Sequence, residues 1–267
     1  NKTTMKTLLF LFISIFIIQS CVETNVDFTE KNILAPGAKV LNKIKVIEAG
    51  SVPYDINYNW TLGKLTSIST SNNSSSYNLE YNGNNLKKIT QTIGQGTQLK
   101  TRISNFVYTN GKLTTINGTE SSAQGGSLMF TTTISYNGNH PYFISKEFQI
   151  GTATSVESIY LEFNNSNISK INYVLGTGAG SINTETNLSN YDDKPNPIHT
   201  LPIAFSISDT YLNEDTFGVL GLSTNNFKTA NIQNTGIQNT VYTYGTDGYP
   251  TKSVRPDLTF QFEYVIL

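Results

Sequence analysis

An aromatic residue, a bulky apolar residue five places on and an isoleucine eight places on recur along this chain, and that frame restricts the fold more than any other feature. It reads Trp60/Leu65/Ile68, Tyr81/Leu86/Ile89, Tyr108/Leu113/Ile116 and Phe163/Ile168/Ile171. Two degraded copies are Tyr136/Ile144, with Pro141 in the middle place, and Tyr244/Tyr249, ending on Lys252. Turn formers separate the aromatic from the aliphatic: Asn82-Gly83, Asn110-Gly111, Asn137-Gly138, Asn164-Asn165 and Asp247-Gly248. Asn-Gly and Asp-Gly supply the two positive φ angles of a tight hairpin turn, so each copy is expected to be one β-hairpin.

The aromatics fall at 60, 81, 108, 136 and 163, and Tyr191 follows 28 residues later. Steps this regular mark an internal repeat whose units bury their apolar faces against their neighbours. The expected fold is all-β, an antiparallel meander of repeated hairpins forming a curved sheet, either barrel-like or a two-layer wrap. If Asn110-Gly111 forms the loop, Tyr108 and Leu113 share a face, and Ile116, three places on, points to the other unless a bulge intervenes. Both faces covered, a barrel, or a bulged ribbon would satisfy this pattern; a flat one-sided sheet would not.

The N-terminal region carries an address. Met5-Lys6 precedes an apolar run from Leu8 to Ile18, relieved by Ser14, and then Gln19-Ser20-Cys21, the one cysteine of the sequence. The run is shorter than the roughly 20 residues a spanning helix needs and has the layout of an export signal. Its aliphatic-x-Ser-Cys ending resembles a lipobox, which implies lipidation of Cys21 and an outer-membrane, lipid-anchored location facing the periplasm or the exterior. The expected division is a signal over 1–20, a tether over 21–39 and a β-hairpin repeat domain over 40–267.

Charged residues make up 14% of the chain and the net charge is -1, so nucleic acid has no electrostatic footprint to follow. With Cys21 acylated, no thiol is left for a disulfide or a thiolate metal site. The two histidines, His140 and His199, each lie near a proline without metal-ligand spacing, and neither a metal nor a cofactor is expected. Gly176 to Gly180 has no following helix to aim amides at a phosphate and reads as a hairpin end.

The segments Gly63-Lys64-Leu65-Thr66-Ser67-Ile68 and Gly111-Lys112-Leu113-Thr114-Thr115-Ile116 resemble the Gly-x-Leu-x-x-Ile portion of the tyrosine-aspartate (YD) repeats of Rhs-type β-shell proteins. Tyr191-Asp192-Asp193-Lys194-Pro195-Asn196-Pro197 is similar to a loop of Bacteroidetes-type envelope lipoproteins with degenerate repeats of this kind. The resemblance implies a β-repeat architecture and an envelope location, and brings no catalytic residues. Most copies lack the aspartate after tyrosine, and the chain is too short to enclose a toxin, so an encapsulating role does not follow.

Asp192-Asp193 and Glu214-Asp215 are the densest acidic pairs. The first reads as a turn whose carboxylates accept nearby amides, with catalysis or calcium (Asn190, Asp192, Asp193 and Asn196) as the competing readings. The repeat aromatics are expected in the core, whereas Tyr54, Tyr142 and Tyr249, off register or beside prolines, are expected to be exposed. Tyr54, Tyr142, Asp192, Asp193 and Tyr249 are thus the candidate ligand contacts. The expected role is non-catalytic binding or scaffolding at the envelope, with the membrane as partner through the anchor and a glycan or envelope protein as further partner. The competing reading is a glycan hydrolase working through a carboxylate pair.

Overall fold

The computed structural model describes residues 33–176, 180–208 and 217–267. The chain runs through β1 (Lys39–Glu48), β2 (Tyr54–Thr61), β3 (Lys64–Thr70), β4 (Ser75–Asn82), β5 (Asn85–Ile93), β6 (Lys100–Thr109), β7 (Lys112–Ser122), β8 (Ser127–Asn137) and β9 (His140–Ile150). It continues through β10 (Ala153–Asn164), β11 (Asn167–Leu175), β12 (Ile182–Ser189), α1 (Ile203–Ser208), α2 (Phe217–Leu220), β13 (Thr229–Ile232), β14 (Gly236–Asn239), β15 (Val241–Tyr244), β16 (Pro250–Val254) and β17 (Leu258–Ile266). The 17 strands form one antiparallel meander, and β1 pairs with both β2 and β17, so the sheet returns on itself. At Thr240 one extended run changes partner: β14 pairs back to β13, and β15 pairs forward to β16. The result is a nearly closed barrel, as the curved-meander reading expects.

The spacing problem at Ile116 is solved by a bulge, repeated around the barrel. Tyr108 opposes Leu113 and Val107 opposes Thr115, leaving Thr114 as the extra residue. The same shift recurs at Asn59/Trp60, Glu80/Tyr81, Ser135/Tyr136, Glu162/Phe163 and Thr243/Tyr244. With one residue absorbed, the apolar positions five and eight places after the aromatic both turn inward, and Leu65, Leu86, Leu113, Ile116 and Ile168 are buried. Bulges bend and further twist a strand, and a row of them at one end of the hairpins coils the sheet toward closure.

The extra residue also answers for a carbonyl that the disturbed ladder leaves over. The hydroxyls of Thr66, Thr114, Ser169 and Thr251 donate to the carbonyls of Asn59, Val107, Glu162 and Thr243 at 3.1, 3.3, 3.2 and 3.2 Å. Neighbouring hairpins are joined by the aromatic itself. Trp60 Nε1 donates to Leu41 O at 2.8 Å, Tyr81 Oη to Leu65 O at 2.8 Å and Tyr108 Oη to Leu86 O at 3.0 Å. Tyr191, at the end of the series, donates in the same way to Ile168 O at 2.5 Å. The lysines of the two Gly-Lys-Leu segments add a second tie: Lys64 Nζ donates to Gly83 O and Lys112 Nζ to Gly138 O, at 2.8 and 2.6 Å.

Two turn solutions share the frame. At Leu62-Gly63 and Asn110-Gly111 both loop residues have positive φ. In the β4/β5 and β8/β9 hairpins the register makes Gly83-Asn84 and Gly138-Asn139 the loops, one place later than the dipeptide signal suggests, with only the glycine at positive φ. The Tyr244 copy is corrected more substantially. Its loop is one residue longer, so Pro250 opposes Tyr244, and Pro250 and Ser253, one place later than Tyr249 and Lys252, take the buried positions of the frame.

Between β12 and β13 the chain leaves the wall and enters the barrel. The described residues here, 191–208 and 217–228, carry a 3-10 turn (Pro197–Thr200), α1 and α2. Ile198, Leu201, Ala204, Phe205, Ile207, Val219 and Leu222 are buried in one core with the inward faces of the strands. At about 1.5–3 kcal/mol per buried large side chain, this insert is a major part of the core. Asn196 fastens it, accepting from Ile198 N at 3.1 Å and donating to Leu220 O and Ser223 O at 2.8 and 3.0 Å.

The outer wall is polar along the middle of its strands. Alternation places Lys43 and Lys45, Asn78 and Glu80, Lys88 and Thr90, Asn117 and Thr119, Thr131 and Thr133, and Lys170 outward. Lys43–Glu263, Lys88–Glu80 and Lys170–Glu185 pair across strands at 2.6, 2.8 and 2.7 Å. Most large apolar residues are inside, while Val107, Met129, Tyr160, Val241 and Val265 are exposed on the strands, and the charged and polar positions among them depart from the continuous external apolar band of a lipid-facing barrel.

Candidate functional site

The five residues nominated from sequence do not converge on one place. Asp192 is half-buried at the entry to the insert. Its Oδ1 accepts from Lys194 N at 3.0 Å and Asn226 N at 3.3 Å, and its Oδ2 accepts from the Tyr244 hydroxyl. This is the amide-accepting turn reading, extended into a clamp between the insert and β15. Burial, together with the hydrogen bond to and the charge of Asp192, pushes the Tyr244 hydroxyl pKa well above the usual tyrosine range. Asp193 is exposed and pairs with Lys194 at 3.3 Å.

Tyr142 is 45% exposed, as expected, because it occupies the bulge position held by threonine or serine in other copies. Tyr54 and Tyr249 are not exposed. Tyr54 is half-buried and turned into the barrel, since it alternates in phase with Tyr58 and Trp60. Tyr249 is half-buried beneath Lys39, whose Nζ lies 4.5 Å from the ring centroid, and edge-on to Tyr264 at 5.2 Å. Cys21, Glu214-Asp215 and residues 177–179 of the glycine-rich segment lie outside the described residues.

Two interior features were missed by sequence reasoning. The first is a charged lining on β5 to β11. Arg102, 6% exposed, donates through Nε to Glu120 Oε2 at 3.1 Å, again through Nη2, and through Nη1 to Gln91 Oε1 at 3.3 Å. Burial pushes the Glu120 carboxyl up, but hydrogen bonds and charge from Arg102 and Lys100 outweigh it and hold the carboxyl below the usual range. Nearby, buried Lys146 stands 4.6 Å from the Phe130 centroid and 4.9 Å from that of Phe148. Burial raises the Glu157 carboxyl against the opposing charges of Lys146 and Arg102, and burial with Glu157 beside it lifts Tyr173 to about 12. Arg102 was legible in principle, since it falls in phase with Ser104, Phe106 and Tyr108 on one strand.

The second feature is a cavity of about 180 Å³ between the insert and the wall of β1 to β4 and β17. Its walls are mainly apolar, with Val46, Ile56, Ile68, Ile198, Leu201 and Phe205 among them. A compact apolar cavity with few polar groups has the usual character of a small-molecule site. Tyr54, one of the nominated residues, lines it. Among the described residues no group of three or more His, Cys, Asp or Glu could hold a metal ion. His140 stacks on Phe163 at 4.5 Å, and His199 Nδ1 sits 2.9 Å from Gly221 O.

No family model and no curated protein sequence matches the chain. Among solved structures, a porin-like protein from Bacteroides uniformis superposes with a TM-score of 0.50 at 14% identity, covering 84% of this chain and 98% of that one. A porin-like protein from Bacteroides vulgatus gives 0.52 at 10% identity, covering 86% of this chain and 100% of that one. At these identities the likeness is one of fold: an antiparallel, barrel-shaped sheet.

Proposed function

We propose that this is a lipid-anchored cell-envelope protein, held at the outer membrane through Cys21, whose barrel stands in water and serves a non-catalytic binding or scaffolding role. The observation that carries the aqueous placement is the polar outer wall. Five outward lysines, Lys43, Lys45, Lys88, Lys170 and Lys252, lie on β1, β5, β11 and β16. On the lipid side of a spanning barrel each would cost about 2–4 kcal/mol near the bilayer midplane, together comparable with a domain's whole stability of about 5–15 kcal/mol. The insert occupying the interior favours a packed body over a channel. The lipobox reading supplies the anchor, the degenerate YD-like repeats supply the body, and porin-like neighbours from Bacteroides accord with an envelope setting.

A binding role is favoured over hydrolysis because Asp192, of the acids nominated from sequence, is spent on structure, as is Glu120 inside the barrel. Asp192 accepts from Lys194 N, from Asn226 N and Nδ2 and from the Tyr244 hydroxyl, Asp193 faces solvent beside Lys194, and Glu120 is held by Arg102 and Lys100. Radiolabelled palmitate fed to cells should label the wild-type chain and not Cys21→Ala. Incubation with envelope glycan and envelope-protein arrays should give retention without cleavage. Equal labelling of Cys21→Ala would refute the anchor, and glycan cleavage abolished by Glu157→Gln would establish the hydrolase instead.

A further inference from the structure

The cavity beside the insert has a chemistry that the envelope role does not use. Aromatic rings crowd its wall: Tyr54, Tyr58 and Tyr77 from β2 and β4, Phe205 from α1 and Phe260 from β17. Tyr77 and Phe205 already meet edge to face at 5.5 Å, leaving ring faces and edges turned to the same space. One polar atom stands out in this lining. Ser75 Oγ is buried and has no hydrogen-bond partner, while the backbone N–H of Ser75 is taken by Thr70 Oγ1 at 3.0 Å.

A buried hydroxyl without a partner costs free energy that a suitable ligand atom would recover. Size sets the other limit. A dry cavity of about 150 Å³ lined by apolar side chains accepts one benzene-sized molecule, so 180 Å³ takes a single ring with one small substituent. Offset and edge-to-face packing between rings favours a flat aromatic over a branched aliphatic of equal volume.

We infer that this cavity is a binding site for a single-ring aromatic molecule bearing one hydroxyl or carbonyl oxygen, with the ring held among Tyr58, Tyr77, Phe205 and Phe260 and the oxygen hydrogen-bonded to Ser75. The site belongs to the folded body and does not depend on the anchor, so it stands or falls separately from the envelope assignment. Half-buried Tyr54 and Thr70, at the ends of β2 and β3, flank Ser75 at the end of the barrel opposite the bulge row.

The test uses p-cresol and toluene as probes on the purified full chain with ¹³C-labelled isoleucine methyls, read by NMR. Both probes should shift the methyls of Ile56, Ile68 and Ile198 saturably. Ser75→Ala should weaken p-cresol by about tenfold, the worth of one hydrogen bond, and leave toluene within about twofold. Ile56→Trp, which fills the space from a half-buried position, should abolish both shifts with an unchanged circular dichroism spectrum. If that variant does not fold, displacement of p-cresol by toluene in the wild type replaces it. Absence of saturable shifts, shifts that persist in folded Ile56→Trp, failure of toluene to displace p-cresol, or p-cresol affinity unchanged in Ser75→Ala would each overturn the assignment.

Discussion

Replacing Glu120 by glutamine should be among the most costly isosteric changes in the barrel, and the structure says why. The Arg102 guanidinium is buried and donates through Nε and Nη2 to the same oxygen, Glu120 Oε2, and through Nη1 to Gln91 Oε1 at 3.3 Å; glutamine at position 120 keeps an acceptor oxygen but removes the negative charge that neutralises the buried guanidinium. Removing one partner of a buried ion pair strands the other charge and costs about 3–5 kcal/mol. Arg102→Met should cost less, because Glu120 retains Lys100, whose Nζ lies 3.3 Å away and is half-exposed. The double variant Arg102→Met/Glu120→Leu should recover most of the loss, since a well-packed apolar pair often matches a buried ion pair. Equilibrium urea denaturation reads all three, and thermal melting should fall by about 2–4 °C per kcal/mol for a chain of this size. The pH dependence follows from the same geometry. The folded carboxyl titrates below its unfolded value, so its contribution is complete above about pH 4.3 and is lost as pH falls through the folded pKa. In Arg102→Met burial is no longer outweighed, and stability should begin to fall at higher pH. A cost below about 1 kcal/mol for Glu120→Gln, or a double variant as unstable as the sum of the singles, would refute this reasoning.

Three further outcomes follow from the hairpins. Leu62 is 92% exposed with φ of 50°, so Leu62→Asn should stabilise the chain by about 1 kcal/mol in urea titrations. A Cβ on Gly118 would lie 2.1 Å from Phe130 Cζ and 2.5 Å from Ile103 O, so Gly118→Ala should destabilise by roughly 2–4 kcal/mol and shift the near-ultraviolet dichroism spectrum. Tyr108→Phe and Thr114→Val each delete a hydroxyl that donates to a backbone carbonyl, and each should cost about 0.5–1.5 kcal/mol, with hydrogen exchange accelerating in β5 to β7.

The repeat frame made the wall of this barrel legible because each of its positions has one physical duty. The aromatic ties hairpin to hairpin, the aliphatic pair fills the inside, and the residue between them forms the bulge. The bulge was visible as a conflict, a spacing of three between two apolar positions that period-two alternation would put on opposite faces. The insert was less legible. Its sequence follows neither the repeat nor a long helical period, and the fold of its described parts, 191–208 and 217–228, is dictated by the hollow they fill. The interior charges were hidden for a related reason: Arg102 and Glu120 are 18 residues apart and become partners only once the register of β6 and β7 is fixed. Exposure of Tyr54 was misjudged because its neighbour Pro53 suggested a loop, whereas strand alternation from Trp60 back through Tyr58 turns it inward.

The proposed water-facing barrel, tied to the membrane by lipid alone, is tested most directly by cutting the tether. A protease site placed between Glu30 and Lys31 of the full chain would be cleaved in isolated membranes and the fractions separated by centrifugation. The body from Lys31 onward should move entirely to the supernatant without detergent, and the uncut chain should stay in the pellet. Retention of the cut body in the pellet would place the strands in the bilayer, and release of the uncut chain would remove the anchor.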